Sequence, residues 1–132
     1  KMSKSYGNTI ELFGDPAETR RRIMRIVTDS RSVEEPKDPE RCNVFALYRL
    51  FATEEERAAM EARYRAGGMG YAVAKQALAD KFEAWFAPMR RRREELASRP
   101  DAVEAVLKRG AERARALARA TLAAARRAVG LE

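Results

Sequence analysis

Residues 71–89 have the sequence YAVAKQALADKFEAWFAPM, the stretch that most clearly predicts how the chain folds. Its apolar side chains recur at steps of three and four residues, which is the spacing of one face of an α-helix. We predict a helix that begins near Tyr71 and buries this face. Pro88 should kink or split the helix, because its ring removes a backbone donor. The face consists of Ala74, Leu78, Phe82, Trp85 and Met89, and its spacing predicts that Trp85 lies in the core.

Capping signals predict further helices on the amino-terminal side of this stretch. Asp15 precedes Pro16, which is the order of an N-cap and a first helical residue, and this helix should run to about Thr28. A polar connector with two prolines follows over residues 29–41. The very apolar residues 44–51 predict a short helix that is buried on several sides.

Two more helices are bounded by similar signals. Thr53 and Glu56 form a capping box that opens a helix to about Ala66, and the glycines of residues 67–70 end it. The last helix is capped by residues 98–101 and should run to Gly130. Small and apolar side chains recur every seven residues along it and could form a seam with a neighbouring helix. They are Val103, Gly110, Leu117 and Ala124, beside Leu107, Ala114, Thr121 and Ala128.

These elements predict an all-α fold, an antiparallel helical bundle preceded by a flexible loop. Residues 1–14 should form the loop and residues 15–132 the helical domain. A possible short strand over residues 10–13 is the only exception to helix that the sequence suggests.

Composition excludes several kinds of chemistry. The chain has no histidine, which removes histidine-based catalytic triads, histidine general bases and nearly all zinc sites. Cys42 is the single cysteine, so no internal disulfide can form, and a reducing cytoplasmic setting fits. No apolar run approaches the roughly 18 residues that span a bilayer, so we expect no membrane partner.

The net charge of +7 is concentrated in one part of the chain. Residues 88–127 carry 12 basic and 5 acidic side chains, whereas residues 1–87 carry 15 and 14. A local basic surplus is typical of a protein that binds a polyanion such as RNA. Charge alone leaves open a solvated, arginine-rich helix surface.

Residues 1–5, Lys-Met-Ser-Lys-Ser, place two ammonium groups and two hydroxyls within five positions. Mobile lysines of this kind can stabilise the negative charge that builds on a leaving pyrophosphate. Taken alone, the motif is more readily explained as a solvated, mobile amino terminus.

The motif and four further segments, in this order and spacing, make the chain resemble the bacterial tryptophanyl-tRNA synthetases over essentially its whole length. The related tyrosyl enzymes are the nearest alternative, although their bacterial type usually ends in a different RNA-binding module. The matching segments are residues 1–8, 23–30, 42–48, 64–71 and 110–114.

The resemblance implies an ATP-dependent ligase that charges tRNA(Trp) with tryptophan, using ATP with magnesium. Lys1 and Lys4 would be catalytic, and Lys1, Met2, Ser3, Lys4 and Ser5 would bind the ATP phosphates. The helical region beyond about Ile23 would position the anticodon. The parent enzyme would be a cytoplasmic homodimer.

Candidate RNA-binding residues lie at the glycine turn and in the basic region. Tyr71 could stack on a base, with Lys75 one turn further along the same face. Of the run Arg90–Arg93, one or two side chains could touch tRNA, because consecutive helical residues point about 100° apart. We take Arg90 and Arg93 as these two. An ordinary glycine C-cap and a solvated arginine surface are the alternatives.

The family's second signature, a His-Ile-Gly-His-type segment, cannot lie in a chain without histidine. The tryptophan pocket belongs to the same nucleotide-binding fold. We therefore expect a carboxy-terminal fragment that is catalytically silent alone. A stand-alone helical RNA-binding module and a helical protein that self-associates through its last helix remain as alternatives.

Overall fold

The computed structural model describes residues 3–131 and contains five α-helices in that range. It divides into two compact units, with the boundary between Arg90 and Arg91, inside the fourth helix. One 3-10 turn, Lys4–Tyr6, lies before the first α-helix, and a second, Pro39–Arg41, lies before the second α-helix. The helices are α1 (Pro16–Met24), α2 (Asn43–Tyr48), α3 (Glu54–Ala66), α4 (Tyr71–Ala97) and α5 (Pro100–Ala128).

Helix α1 begins as its sequence predicts and ends earlier. The carboxylate of Asp15 accepts the backbone N–H of Glu18 at 2.8 Å, and Pro16 occupies the first turn. The predicted end near Thr28 is wrong by four residues. The carbonyl of Met24, the last residue of the helix, accepts Nζ of Lys75 at 3.1 Å and so has a partner on another helix.

Helix α3 has the predicted capping box. The backbone N–H of Thr53 donates to Glu56 Oε2 at 2.9 Å, and the N–H of Glu56 donates back to Thr53 Oγ1 at 3.4 Å. These two bonds satisfy donors that a helix start otherwise leaves without partners.

The core lies in the first unit and is formed by the apolar faces of α1–α4. The predicted all-α class and helical bundle are confirmed. Residues 3–131 include no strand, and turns occupy positions 12–13, so the possible strand over residues 10–13 is wrong. The largest fully buried side chains are Tyr64, Ile23, Leu78, Val44 and Pro39.

Two expectations for α4 need correction. Of the predicted kink or split at Pro88, the split is wrong, because one helix runs from Tyr71 to Ala97 with Pro88 inside it. Trp85 is 52% exposed, not core. The buried face instead follows Ala74, Leu78, Phe82 and Phe86 in four-residue steps, so Trp85 lies at its edge, where its ring contacts Phe51 at 6.0 Å between centroids.

The second unit begins within α4 and contains α5. No residue of α5 is buried, so the predicted seam of small and apolar side chains is largely exposed, with Leu117 at 83%. Across residues 3–131 no helix combines the length and the apolar character needed to cross a membrane.

Candidate functional site

The segment from Ser3 to Asn8 forms a closed turn that carries Lys4. Residues Lys4–Tyr6 adopt one 3-10 turn, in which the N–H of Gly7 donates to the carbonyl of Lys4 at 3.1 Å. Gly7 has a φ of 63°, in the left-handed region that glycine favours. The amide oxygen of Asn8 accepts the backbone N–H of Ser3 at 2.8 Å, which joins the two ends of the turn. Of the predicted phosphate-binding residues, Lys1 and Met2 lie outside the described range.

Two hydroxyls of the predicted motif lie side by side in this turn. The Oγ atoms of Ser3 and Ser5 are 2.7 Å apart, at hydrogen-bond distance, on either side of Lys4. Ser5 is exposed and Ser3 is half-buried. The turn therefore presents one ammonium group and two hydroxyls on a short piece of chain. Such groups can donate to phosphate oxygens.

The exit of the turn is attached to α1 by Arg22. Its Nη1 donates to the carbonyl of Thr9 at 2.9 Å, while its Nε contacts Glu18 at 3.2 Å. Glu18 also accepts two bonds from Arg21. The hydrogen bonds from Arg21 and then Arg22 hold the pKa of Glu18 below its usual value. The guanidinium of Arg22 is thus oriented by a carboxylate on its own helix.

A cavity of about 570 Å³ opens beside the turn, within the first unit. Its polar lining residues include Asn8, Glu18, Arg22 and Arg25. Its apolar lining residues are Ile10, Ile26, Val27, Ala46 and Leu47.

Tyr71 and Lys75, both predicted to bind RNA, connect α4 to the chain that follows α1. The phenol of Tyr71 donates to Asp29 Oδ1 at 2.7 Å, and its ring lies edge-on to Tyr64 with centroids 6.2 Å apart. Burial, followed by the bond to Asp29, raises the pKa of Tyr71 well above its usual value. Lys75 donates to Met24, as described above. Tyr71 and Lys75 thus lie one turn apart on α4, and both bond to the stretch of chain from Met24 to Asp29.

Arg90 is largely enclosed by the first unit, with a side chain 11% exposed. Its Nε donates to the carbonyl of Leu12 at 3.0 Å, its Nη1 pairs with Glu83, and its guanidinium lies over the ring of Phe82 at 5.9 Å. Binding an RNA phosphate would require Arg90 to leave these partners. Arg93 belongs to the second unit and is exposed.

Lys37 is a structural residue that sequence reasoning missed. It is 2% exposed, and its ammonium donates to the carbonyls of Ser32, Val33 and Glu35 at 2.6, 3.2 and 2.9 Å. The ammonium also lies 5.4 Å from the ring centre of Tyr71. No sequence signal could have found it, because a lysine in a proline-containing polar connector is normally solvated.

Within residues 3–131, no three His, Cys, Asp or Glu side chains are grouped closely enough to hold a metal ion. Cys42 is buried, and its Sγ lies 3.4 Å from the hydroxyl of Tyr64. Burial is the largest cause that raises the pKa of that phenol far above its usual value. The described residues therefore contain no metal cluster, and phosphate binding by the turn that carries Lys4 stays a prediction.

Comparison with known proteins gives a family match over most of the chain. The model of the family described as tRNA synthetases class I (W and Y) matches residues 1–87. The tryptophan–tRNA ligase of Rhodopirellula baltica is 53% identical over 131 residues, which cover 99% of this chain and 41% of that protein. The tryptophan–tRNA ligase of Bordetella parapertussis is 49% identical over 132 residues, 29% of its length. The chain thus spans well under half of these relatives.

A solved structure supports the same comparison. Tryptophanyl-tRNA synthetase from Campylobacter jejuni, in complex with ADP and tryptophan, superposes with a TM-score of 0.88 at 37% identity. The match covers 98% of this chain and 41% of that one.

Proposed function

Because the chain belongs to the class I tRNA synthetases of the tryptophan and tyrosine type, we propose that it forms part of a tryptophan–tRNA ligase. In this role the turn that carries Lys4 binds the phosphates of ATP, and the helices contribute to binding the tRNA. The observation that carries the proposal is the 53% identity to a tryptophan–tRNA ligase across 99% of this chain. The matched residues therefore include all five helices of this chain.

The chemistry proposed for Lys4 follows from where charge develops. During activation a carboxylate oxygen of tryptophan bonds to the α-phosphorus of ATP, and the bond to the bridging oxygen of pyrophosphate breaks. Negative charge accumulates on the leaving pyrophosphate. The ammonium of Lys4 stabilises that charge most in the transition state, while the hydroxyls of Ser3 and Ser5 donate to phosphate oxygens. Lys1 supports Lys4 in the same task, and magnesium accompanies ATP as part of the substrate.

The helices are proposed to hold the tRNA. The basic surplus of residues 88–127 attracts the phosphate backbone. Anticodon bases are single-stranded and are read by stacking and by hydrogen bonds to their edges, for which Tyr71 and Lys75 are the candidates. Arg93 is an exposed residue of α4 and a candidate for contact with phosphate. Arg90 would have to exchange its internal partners for phosphate.

The whole ligase is proposed to act in the cytoplasm as a homodimer that binds ATP, tryptophan and tRNA(Trp). The 132-residue chain by itself is expected to be inactive, since it has no histidine for the family's second signature. Neither substrate would be oriented for reaction by the turn alone.

The experiment that tests this proposal is ATP–pyrophosphate exchange by the ligase that contains this chain, with each amino acid in turn. Exchange that depends on tryptophan supports the proposal. Exchange that depends on tyrosine would assign the chain to the other branch of the same family. The 132-residue chain serves as the second sample, and robust exchange by a preparation free of the longer ligase would contradict its proposed inactivity.

A further inference from the structure

We propose that Asn8 is a positioning residue for Lys4, holding the turn that carries this lysine in the conformation that meets the pyrophosphate. The proposal rests on the function proposed above for Lys4. Asn8 itself need not touch ATP, because it acts on the backbone at the other end of the turn.

Hydrogen bonds close residues 3–8 into a ring, and this ring supports the inference. Asn8 Oδ1 accepts the N–H of Ser3 at 2.8 Å, so the residue immediately before Lys4 is fixed to a side chain five positions later. Within this ring, the N–H of Tyr6 donates to the carbonyl of Ser3 and the N–H of Gly7 donates to the carbonyl of Lys4, both at 3.1 Å. The backbone on both sides of Lys4 is therefore held.

The ring is anchored to the rest of the first unit directly after Asn8. The carbonyl of Thr9 accepts Arg22 Nη1 at 2.9 Å, and Ile10 packs against the core. A chain of contacts consequently runs from α1 through Arg22, Thr9 and Asn8 to the backbone next to Lys4. Among the described contacts, the bond from Ser3 to Asn8 is the one side-chain hydrogen bond that connects the backbone before Lys4 to the anchored residues Thr9 and Ile10.

The residue type fits this role. An asparagine side chain presents a carbonyl oxygen that accepts a backbone N–H without carrying charge, so it closes the turn without competing with phosphate for the lysine. Fixing a residue's backbone in one conformation costs conformational entropy. A ligase in which the turn is already closed does not have to supply that free energy during the reaction.

The test is a double-mutant cycle in the complete ligase, measured by tryptophan-dependent ATP–pyrophosphate exchange with Asn8→Ala, Lys4→Ala and the double variant. Asn8→Ala should lower kcat about fivefold, the effect of roughly one hydrogen bond, with little change in the KM for tryptophan. In the Lys4→Ala background the same change should have no further effect, because the group that Asn8 positions is gone. Asn8→Asp keeps an acceptor oxygen but adds a charge that competes with phosphate for Lys4, so it should recover only part of the activity that Asn8→Ala loses.

Each other outcome has a defined meaning. If Asn8→Ala lowered kcat by the same factor in the unaltered ligase and in the Lys4→Ala variant, the inference would be overturned. Asn8 would then act on the substrate directly. An active ligase that is unaffected by Asn8→Ala would also overturn it, while leaving the proposed function in place. No tryptophan-dependent exchange by the unaltered ligase would instead contradict the proposed function itself.

Discussion

The phenol of Tyr71 donates a hydrogen bond of 2.7 Å to the carboxylate of Asp29, a residue 42 positions earlier in the chain. This bond connects the first residue of α4 to the segment that leaves α1. Lys37 lies over the same ring, and Lys75 binds the last carbonyl of α1 one turn further on. Tyr71 and Lys75, the candidate RNA-binding residues of α4, therefore also connect α4 to α1 and to the segment that follows α1.

The bond between Tyr71 and Asp29 should be visible in the dependence of stability on pH. It is the largest of the interactions that hold the pKa of Asp29 below its usual value. A lowered pKa in the folded state stabilises the fold above the unfolded value, and this contribution disappears as the pH falls through about 4 and below. Tyr71→Phe should therefore lose less stability than the unaltered chain between pH 7 and pH 3 in urea unfolding.

Tyr6→Phe is the matched control for that experiment, because Tyr6 is 77% exposed. Its loss of stability on acidification should equal that of the unaltered chain. An identical loss in Tyr71→Phe as well would show that the bond to Asp29 does not contribute in solution.

Replacing Lys37 with methionine should destabilise the first unit. The three carbonyls that its ammonium binds lose a charged donor in a buried place, which should cost about 3 kcal/mol. Lys75→Met is the control, because that lysine binds a single carbonyl in an exposed bond and should cost less than about 1 kcal/mol. Denaturant midpoints measured side by side compare the two. Equal costs would mean that the buried ammonium is no more important than an exposed one.

The two glycines that follow α3 offer a sharp comparison. Gly67 and Gly68 have φ values of 76° and 74°, which L side chains disfavour, so alanine at either position should be strained by about 1–3 kcal/mol. Gly67 also has a ψ of −171°, a combination that is found almost only in glycine. A Cβ on Gly67 would in addition collide with the backbone carbonyl of Glu34, whereas a Cβ on Gly68 meets nothing within 4 Å. Gly67→Ala should therefore lower the thermal midpoint much more than Gly68→Ala. Equal midpoints would show that the segment around Glu34 moves aside readily.

The 132-residue chain should bind tRNA weakly, with an affinity that falls steeply as salt is added. Filter binding with tryptophan tRNA and an anticodon-substituted version measures both affinity and preference. Tyr71→Phe keeps the ring and should keep the preference, whereas Tyr71→Ala should lose it. If Tyr71→Ala and Lys75→Ala weaken both RNAs equally or not at all, this face of α4 is structural and the anticodon is read elsewhere.

Local signals in the sequence predicted the helices well. The caps at Asp15 and Thr53 were confirmed. Each is a hydrogen bond to the backbone N–H three residues later, so it depends only on neighbouring residues in the sequence. Partners that are distant in sequence were not predictable. Trp85 lies at the edge of the core because the face of α4 that packs is decided by other helices, and the ring of Phe51 that it contacts comes from the turn after α2.

The candidate site was partly predictable for the same reason. The turn around Lys4 could be found from five consecutive residues, since its chemistry is local. The role inferred for Asn8 depends on a bond across the turn, and the roles of Asp29 and Lys37 depend on contacts with α4. A sequence shows the residue types for such contacts but not which atoms meet.

Lys4 is proposed to stabilise the negative charge on the leaving pyrophosphate. The most direct test of this role is tryptophan-dependent ATP–pyrophosphate exchange by the complete ligase carrying Lys4→Ala, with Lys108→Ala as a control that removes the same charge from α5. Lys4→Ala should lower kcat by the equivalent of about 2–4 kcal/mol with little change in the KM for tryptophan, while the control retains full activity. An unchanged kcat in Lys4→Ala would contradict the account and leave Lys4 as a solvated residue of the turn.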